Sequence, residues 1–282
     1  MTLHDVLELI REHRGLRLRF VGALTGGEVG AAEVRSDDGS RFVLKWWDGD
    51  AASGRRSAAL VERLRARGYP IPRFVIADDL GGVTVMLQEF VDGHASDDVS
   101  SETVDTLLAL NRLQVGAGDE DSGAWSIYIA GSLLDGCDGY CVHESLRDYD
   151  PRTAALLDTI RAIGAAVGEL PAGDIVHVDF HHRNVLIRGG AVEAVIDWEG
   201  CRSGDAAFDL VTLAFGLTVA RVPVAATDVV WDEARRRTTP EALRAYAAHM
   251  ALRQVDWSIR HRTAADVDHW LDISQSFLAA TP

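Results

Sequence analysis

The sequence predicts an α+β protein in which a small antiparallel sheet with one helix precedes a larger helical part. Up to residue 92, short runs of alternating apolar and polar side chains are separated by Gly, Asp and Pro, which is typical of strands joined by turns. Beyond residue 93, apolar residues recur at three- and four-residue spacing over long stretches, as in helices. With 282 residues, 47% of them hydrophobic, the chain is long enough for two lobes, which we place at 1–92 and 93–282.

The first part is expected to be a five-stranded meander with one inserted helix. The helix is predicted over Gly54–Arg67, because Leu60, Val61 and Leu64 share one face and a Gly-Tyr-Pro sequence follows. The five strands are predicted at 17–23, 29–35, 41–47, 74–77 and 83–90.

The second part is expected to be mainly helical. Helices are predicted at roughly 102–115, 152–170, 206–219, 241–262 and 264–278. Between residues 116 and 149 no period is found, so this segment is expected to be irregular. One strand pair, at 185–188 and 191–197, surrounds Gly189 and Gly190, a two-residue connection that favours a primed hairpin turn.

This hairpin predicts a metal site. If the two glycines form the turn, Asn184 lies opposite Val195, and Asp197 projects from the same face about 7–8 Å from Asn184. Amide and carboxylate oxygens are ligands that Mg²⁺ prefers. Five residues before Asn184, Asp179 falls in an expected loop, where a carboxylate beside a metal can orient a hydroxyl or accept its proton.

One lysine stands out in the composition. Of the 28 basic residues, 27 are Arg and one, Lys45, is Lys. A guanidinium is a planar fork, whereas an ammonium is a compact point charge. Lys45 is therefore a candidate for a task that needs a point charge.

The charge argues against nucleic acid as a partner and makes a cationic ligand plausible. The net charge is −15, and duplex binding depends on basic groups that neutralise phosphates. Residues 1–92 carry 13 basic and 14 acidic side chains, and residues 93–282 carry 15 basic and 29 acidic ones. The alternative interpretation is that the acidity only keeps the protein soluble.

We expect a cytoplasmic protein with no membrane partner. The sequence has no apolar run of eighteen residues, and its N-terminus lacks the basic and then apolar pattern of a secretory signal. The three cysteines are an odd number and match no zinc-ribbon spacing, so free thiols are expected.

The residues around the hairpin resemble a known family. His177, Asp179 and Asn184 stand in a His-x-Asp-x4-Asn pattern, and Asp197 follows thirteen residues later in Ile-Asp-Trp, similar to the catalytic loop and metal-binding aspartate of kinases. In this form the pattern is most similar to the aminoglycoside phosphotransferase and choline kinase-like families. The resemblance implies a two-lobed protein kinase-like fold, ATP or GTP with Mg²⁺ as cofactors, and phosphoryl transfer to an alcohol.

The resemblance implies a role for each residue of the pattern. Asp179 would align the attacking hydroxyl, and Asn184 and Asp197 would bind Mg²⁺. His177 and Asp209 would support the catalytic loop structurally.

The resemblance also implies a nucleotide site. The lysine would hold the α- and β-phosphates, and a loop between the first two strands, without the full glycine signature, would cover them. A backbone carbonyl and a backbone amide after the fifth strand would pair with the purine. The implied residues are Lys45, Thr25, Gly26, Gly27, Glu89 and Val91.

One position departs from the family pattern. The lysine usually pairs with a glutamate of the following helix, and Ser57 stands at that place. The nearest candidate, Glu62, lies about 200° around the helix from Leu60 at about 100° per residue, so it points away from the apolar face. The partner of Lys45 is left open.

The acceptor is expected to be a cationic small molecule. The acidic second part and the resemblance favour an aminoglycoside or a basic cyclic peptide antibiotic of the capreomycin type, whose phosphorylation would confer resistance. The candidate acceptor-binding residues all lie in the segment without a period and are Asp119, Glu120, Asp121, Asp135, Asp138 and Glu144.

Three alternatives remain at this point. The chain is open to interpretation as a metabolic kinase for choline, an amino sugar or a hydroxy amino acid, or as a nucleotide-binding pseudokinase. A zinc metallohydrolase is the third, with His181 and His182 joining His177 and Asp179. The acceptor, the choice between ATP and GTP, and the oligomeric state are not determined by the sequence.

Overall fold

The computed structural model describes residues 1–24, 30–48, 51–95, 99–119, 122–137, 139–220, 222 and 224–281. Its contacts divide the chain into two compact units. The first contains Met1–Ser96 with Arg183–Arg202, and the second contains Asp97–His182 with Ser203–Pro282. The predicted lobe boundary at residue 92 remains a prediction, and the structure adds that the hairpin near residue 190 belongs to the first unit.

The secondary structure consists of short strands in the first unit and mostly helices in the second. The strands are β1 (Leu18–Leu24), β2 (Ala31–Ser36), β3 (Arg41–Asp48), β4 (Phe74–Asp79), β5 (Val83–Glu89), β6 (Asp174–Val176), β7 (Val185–Arg188), β8 (Ala191–Val195) and β9 (Arg202–Gly204). The helices are α1 (Leu3–Arg14), α2 (Ala51–Ala66), α3 (Ser101–Gln114), α4 (Ser122–Leu134), α5 (His143–Tyr149), α6 (Pro151–Ala166), α7 (Ala207–Val219), α8 (Val224–Arg237), α9 (Pro240–His261) and α10 (Ala264–Ala280).

The predicted α+β class is confirmed. In the first unit, β1 to β5 form an antiparallel sheet, and the second unit is mainly helical. No helix in the described part of the chain is long and apolar enough to cross a membrane.

The predicted meander is wrong in its strand order. The order is β1-β2-β3-β5-β4, so β5 pairs with β3, and β4 lies at the edge. Six of the seven residues of β5 are buried, whereas β4 buries only Ile76. Burial of successive residues means that both faces of β5 are covered, which fits its inner place in the sheet.

Helix α1 was missing from the sequence prediction. It begins with a capping box between Thr2 and Asp5 and ends at Gly15, whose φ of 66° is left-handed. These capping residues are signals that a sequence reading can use. The helix buries Val6 and Ile10 against the sheet core of the first unit.

The β7–β8 hairpin has the expected turn but a shifted register. Gly189 and Gly190 have φ of 61° and 85°, as a type I′ turn requires. A bulge between Leu186 and Ile187 places Val185, rather than Asn184, opposite Val195. The expected pairing was wrong because β8 carries one extra residue at the bulge.

The hairpin is anchored to its own unit at two places. The Val195 N–H donates to the Pro70 carbonyl at 2.8 Å. His94 and Ile187 exchange two backbone hydrogen bonds of 3.1 and 2.9 Å. These contacts fix the strands that lead to Asn184 and Asp197.

The segment 116–149, expected to be irregular, contains α4 and α5. Helix α4 lacks charged residues and has apolar side chains on more than one face, so its sequence shows no clear period. Tertiary packing stabilises it, because Trp125, Ile129 and Leu133 are buried at four-residue spacing. Helix α8 was also not predicted.

Candidate functional site

Lys45 lies in the middle of the first unit's sheet, in β3, opposite Met86 of β5. Its side chain is only 15% exposed and forms ion pairs with two carboxylates. Nζ contacts Oδ1 of Asp197 and lies 2.9 Å from Oε1 of Glu199. The lone lysine and the predicted metal-binding aspartate are therefore in direct contact.

The charge of Lys45 is stabilised by these partners. Burial by itself would lower the pKa of Lys45, but the carboxylates of Glu199 and Asp197 outweigh it and raise this pKa to about 12. Burial raises the pKa of Glu199, and the Lys45 ammonium opposes that rise. Lys45 is a fixed cation at any physiological pH.

Asp197 follows the end of β8 in a left-handed conformation with φ of 75°. Asp tolerates this conformation better than most residues. Its side chain is 38% exposed, so the carboxylate is accessible as well as paired with Lys45. The backbone carbonyl of Asn184 accepts the N–H of Ile196 at 2.9 Å, so Asn184 lies next to the strand end that carries Asp197.

The donor set around this strand end fits a magnesium ion. Asn184 supplies an amide oxygen and Asp197 a carboxylate, and Mg²⁺ prefers such oxygens and keeps several of its waters. Their assignment as metal ligands stays a prediction.

The open question about the lysine's partner has an answer in the structure. Ser57 of α2 is buried, and its hydroxyl donates to the backbone carbonyl of Glu199 at 2.8 Å. The helix thus contributes no carboxylate and instead holds the chain segment that does. Sequence reasoning missed Glu199, although its position two residues after Asp197 was a usable signal.

Trp198 anchors this same segment. Its indole is buried, donates to the Val195 carbonyl at 3.0 Å, and packs edge to face against Tyr69 with 5.3 Å between ring centroids. The residues on both sides, Asp197 and Glu199, are therefore carried by a fixed backbone.

The predicted purine contacts lie just beyond β5. Glu89 is the last residue of β5, and its carboxylate pairs with Arg73 at 2.8 Å. Between Glu89 and Val91, the Phe90 N–H donates to the Arg41 carbonyl, and the Arg41 guanidinium lies 3.7 Å from the Phe90 ring centroid. The other predicted nucleotide contacts, Thr25, Gly26 and Gly27, lie outside the described residues.

In the second unit, Asp209 of α7 supports the loop that carries Asp179. Its buried carboxylate accepts the N–H of His177 at 2.7 Å and that of Val178 at 3.0 Å. Gln114 of α3 donates to the same carboxylate at 2.6 Å. Burial raises the pKa of Asp209 to about 7, against the opposing effect of these hydrogen bonds.

Asp179 is held by an arginine that the sequence reasoning missed. Nη2 of Arg253, in α9, lies 2.6 Å from Oδ1 of Asp179, and Nε2 of His181 lies 3.4 Å from the same oxygen. The Asp179 N–H donates to Nδ1 of His177 at 3.2 Å. Nothing in the local sequence indicates Arg253, since it is far along the chain and lies in an ordinary helical pattern.

These contacts keep Asp179 ionised. Burial would raise the pKa of Asp179, but the Arg253 guanidinium, together with His181 and His177, holds it well below its usual range. The carboxylate is 27% exposed. It is therefore an anion at physiological pH that can accept a hydrogen bond from a hydroxyl.

The structure gives no support to the zinc alternative. Within the described ranges, no three His, Cys, Asp or Glu side chains come together as a metal site. His181 pairs with Asp179, and His182 is buried where Gly216 of α7 leaves room for its ring.

Three predicted acceptor-binding residues lie in different surroundings. The Asp119 N–H donates to Ser203 Oγ at 2.8 Å, Asp135 follows the end of α4, and Glu144 of α5 pairs with Arg147 at 3.5 Å. Their role at the acceptor stays a prediction. The remaining three, Glu120, Asp121 and Asp138, lie outside the described residues.

Several solved structures that are similar to this chain over nearly its whole length are described as kinases or phosphotransferases that act on antibiotics. A thermostable mutant of aminoglycoside phosphotransferase APH(4)-Ia in its apo form is 18% identical, with 97% of this chain and 98% of that chain covered and a TM-score of 0.68. Spectinomycin phosphotransferase APH(9)-Ia with ADP and spectinomycin is 14% identical, with 100% and 98% covered and a TM-score of 0.65. The amicoumacin kinase hAmiN with AMP-PNP, Ca²⁺ and Ami is 14% identical, with 100% and 95% covered and a TM-score of 0.62.

These likenesses confirm the predicted two-lobed kinase-like fold, with a small antiparallel lobe and a larger helical one. Comparison with curated proteins yields no match. The family model described as the phosphotransferase enzyme family matches residues 26–249, which include Lys45, Asp179, Asn184 and Asp197. The match spans most of the sequence, so the chain belongs to the phosphotransferase enzyme family.

Proposed function

We propose that this protein transfers the γ-phosphate of ATP or GTP to a hydroxyl of a cationic small molecule, with an aminoglycoside or a basic cyclic peptide antibiotic as the favoured acceptor. The observation that carries the proposal is the contact between Lys45 and Asp197. The only lysine of the chain is largely buried beside the carboxylate that the family pattern assigns to the metal. Ordinary surface charge does not account for that arrangement.

On the nucleotide side, the chain provides a cation and a set of oxygen ligands. Lys45 would hold the α- and β-phosphates as a point charge. Asn184 and Asp197 would hold Mg²⁺, which when bound neutralises charge on the phosphate oxygens. Glu199, whose carboxylate lies 2.9 Å from the Lys45 ammonium, would keep Lys45 in place.

On the acceptor side, Asp179 would orient the attacking hydroxyl. Phosphoryl transfer passes through a loose transition state, so alignment matters more than a strong base. An aspartate that is paired with Arg253 is a weak base but a well-fixed hydrogen-bond acceptor. Its environment suits alignment rather than early proton removal.

Two observations support a cationic antibiotic as acceptor. Residues 93–282 carry 29 acidic and 15 basic side chains, a balance that attracts polycations. Proteins of the same fold were solved with hygromycin B, with spectinomycin and with Ami as bound ligands. Phosphorylation of such a ligand would protect a cell against it.

The test is an acceptor screen. The purified protein with Mg²⁺ and either ATP or GTP is given aminoglycosides, spectinomycin, capreomycin-type peptides, choline, amino sugars and hydroxy amino acids, and acceptor-dependent ADP or GDP release is measured. Turnover with a polycationic antibiotic is the expected result. Turnover confined to the small metabolites would replace the proposal with a metabolic kinase, and nucleotide binding without any turnover would favour a pseudokinase.

Asp179→Asn should lower turnover by about 10²- to 10⁴-fold while nucleotide affinity stays near that of the parent, because Asp179 orients the acceptor. Asp158→Asn, an identical change at an exposed position of α6, is the matched control and should leave turnover unchanged. Turnover by Asp179→Asn within a few-fold of the control would remove Asp179 from the mechanism.

A further inference from the structure

Arg253 is a largely buried cation that contacts two consecutive residues of the loop carrying Asp179. Nη2 binds the Asp179 carboxylate at 2.6 Å, and Nη1 donates to the backbone carbonyl of Val178 at 3.0 Å. The side chain is 23% exposed, and its Cζ lies 5.7 Å from the ring centroid of Tyr140. A guanidinium makes both bonds at once because it is a rigid planar fork.

The backbone at Val178 needs such support. Its φ of 76° is left-handed, which is unfavourable for a β-branched residue. Asp209 binds the Val178 N–H at 3.0 Å, and Arg253 binds the Val178 carbonyl. The residue before Asp179 is thus held at both of its peptide groups by charged side chains from two helices, α7 and α9.

The charges around Asp179 explain why Arg253 has a large effect on the ionisation of this carboxylate. In the described part of the chain, the charged and titratable groups that act on the carboxylate include Arg253 from α9, Asp209 from α7, and His177 and His181 from its own loop. Only Arg253 is a permanent cation in this set. Without it, burial would raise the pKa of Asp179 with less to oppose it.

We propose that Arg253 is a positioning residue for Asp179: its guanidinium fixes the carboxylate and the preceding peptide group so that Asp179 can orient the acceptor hydroxyl. The inference rests on the proposed phosphoryl transfer for its functional part. Arg253 lies beyond residues 26–249, the part matched by the family model, so the inference comes from this structure and not from the family pattern.

A double-mutant cycle on stability tests the contact without any substrate. The variants are Arg253→Gln, Asp179→Asn and the double variant, with thermal unfolding measured at about pH 5 and about pH 8. In the parent, Asp179 has a lowered pKa, so its stabilising contribution is complete above the unfolded pKa near 4 and constant between these pH values. In Arg253→Gln, burial should raise the pKa of Asp179 above its value in the unfolded chain. The unfolding temperature of this variant should therefore fall as the pH rises from about 5 to about 8.

The double variant carries no ionisable group at either position, so its unfolding temperature should regain the pH dependence of the parent. This part of the test does not depend on the acceptor, and it therefore separates failure of the Arg253 inference from failure of the proposed function. Equal losses of stability at both pH values in Arg253→Gln would overturn the inference.

The second measurement is the pH dependence of kcat with the acceptor found in the screen. Arg253→Gln should lower kcat by about tenfold to a hundredfold at pH 8, since a misplaced catalytic group has effects of this size. Its kcat should fall further toward pH 5 as Asp179 becomes protonated, and nucleotide KM should change little.

Two further variants keep the test decisive. Arg253→Lys retains the positive charge but loses the fork, so its pH profile should follow that of the parent while kcat is reduced. Arg260→Gln removes another arginine of α9, which pairs with Asp256 at 2.8 Å, and should leave the pH profile of kcat unchanged. If Arg253→Lys and Arg253→Gln both show the parent's kcat and pH profile, Arg253 has no positioning role.

Discussion

At the scale of single residues, the ammonium of Lys45 has two carboxylate partners. Asp197 and Glu199 both pair with Lys45, and the family pattern assigns Asp197 to the metal. An aspartate whose oxygens bind Mg²⁺ is a weaker partner for a lysine, so Glu199 would then hold Lys45. Ser57 contributes by fixing the Glu199 carbonyl.

Glu199→Gln should therefore raise the nucleotide KM by about tenfold with a smaller change in kcat, as expected for the loss of one charge-assisted hydrogen bond. The single lysine offers a direct probe, because lysine labelled with ¹³C at Cε gives one side-chain NMR signal. When Mg²⁺ is added without nucleotide, the Lys45 signal of the parent should remain that of an immobilised side chain. In Glu199→Gln, the same signal should become that of a mobile side chain.

The matched control for this prediction is Glu193→Gln. Glu193 is a carboxylate of the same hairpin that pairs with Arg188. Its replacement should leave both the lysine signal and the nucleotide KM unchanged. An unchanged lysine signal in Glu199→Gln with Mg²⁺ would show that Glu199 does not hold Lys45.

At the scale of elements, helices α4 and α6 meet where a glycine replaces a side chain. A Cβ at Gly164 of α6 would lie 2.7 Å from Cβ of Leu133 in α4. A Cβ is fixed by its backbone and cannot rotate away, and the Leu133 carbonyl carbon would lie 3.3 Å from the added atom, so the close approach requires glycine. The contact stabilises α4, whose own sequence has weak helical character.

Gly164→Ala should destabilise the protein, since overpacking costs about 1–3 kcal/mol and outweighs the gain in helix propensity of about 1 kcal/mol. The control is Gly131→Ala within α4, where a Cβ would meet no atom within 4 Å. That variant should be more stable by about 0.4–1 kcal/mol. The urea unfolding midpoint of each variant shows whether the substitution stabilises or destabilises the protein. A Gly164→Ala variant that is more stable than the parent would contradict the close packing of α4 on α6.

At the scale of the whole molecule, the uneven charge predicts how salt acts on each substrate. If acidic side chains of residues 93–282 bind the acceptor's amines, several charge pairs are screened over about 8 Å at physiological ionic strength. The acceptor KM should rise steeply with potassium chloride. The nucleotide KM should rise much less, because a metal and close hydrogen bonds determine it.

Steady-state kinetics at low and high potassium chloride measures this, with the nucleotide as internal control. An analogue with acetylated amines and a free hydroxyl should be a far poorer acceptor at low salt. If both KM values show the same shallow salt dependence, the acceptor is a small neutral or zwitterionic molecule and not a polycation.

The sequence by itself determined the fold class and supplied the predicted set of chemical residues, whose roles stay predictions. Alternating and helical periods predicted the sheet and most long helices, because they record local burial that every strand or helix must satisfy. The pattern from His177 to Asp197 and the solitary Lys45 pointed to phosphoryl transfer, since they lie close together in the chain or stand out in composition.

Only the tertiary structure decided what depends on contacts between distant parts of the chain. The inner place of β5, the helical state of α4 and the bulge that shifts the hairpin register follow from packing, which overrides weak local preference. The partners Glu199 for Lys45 and Arg253 for Asp179 likewise appear only in three dimensions. An ion pair leaves no period in a sequence, because it requires two side chains to be close in space and places no condition on their separation along the chain.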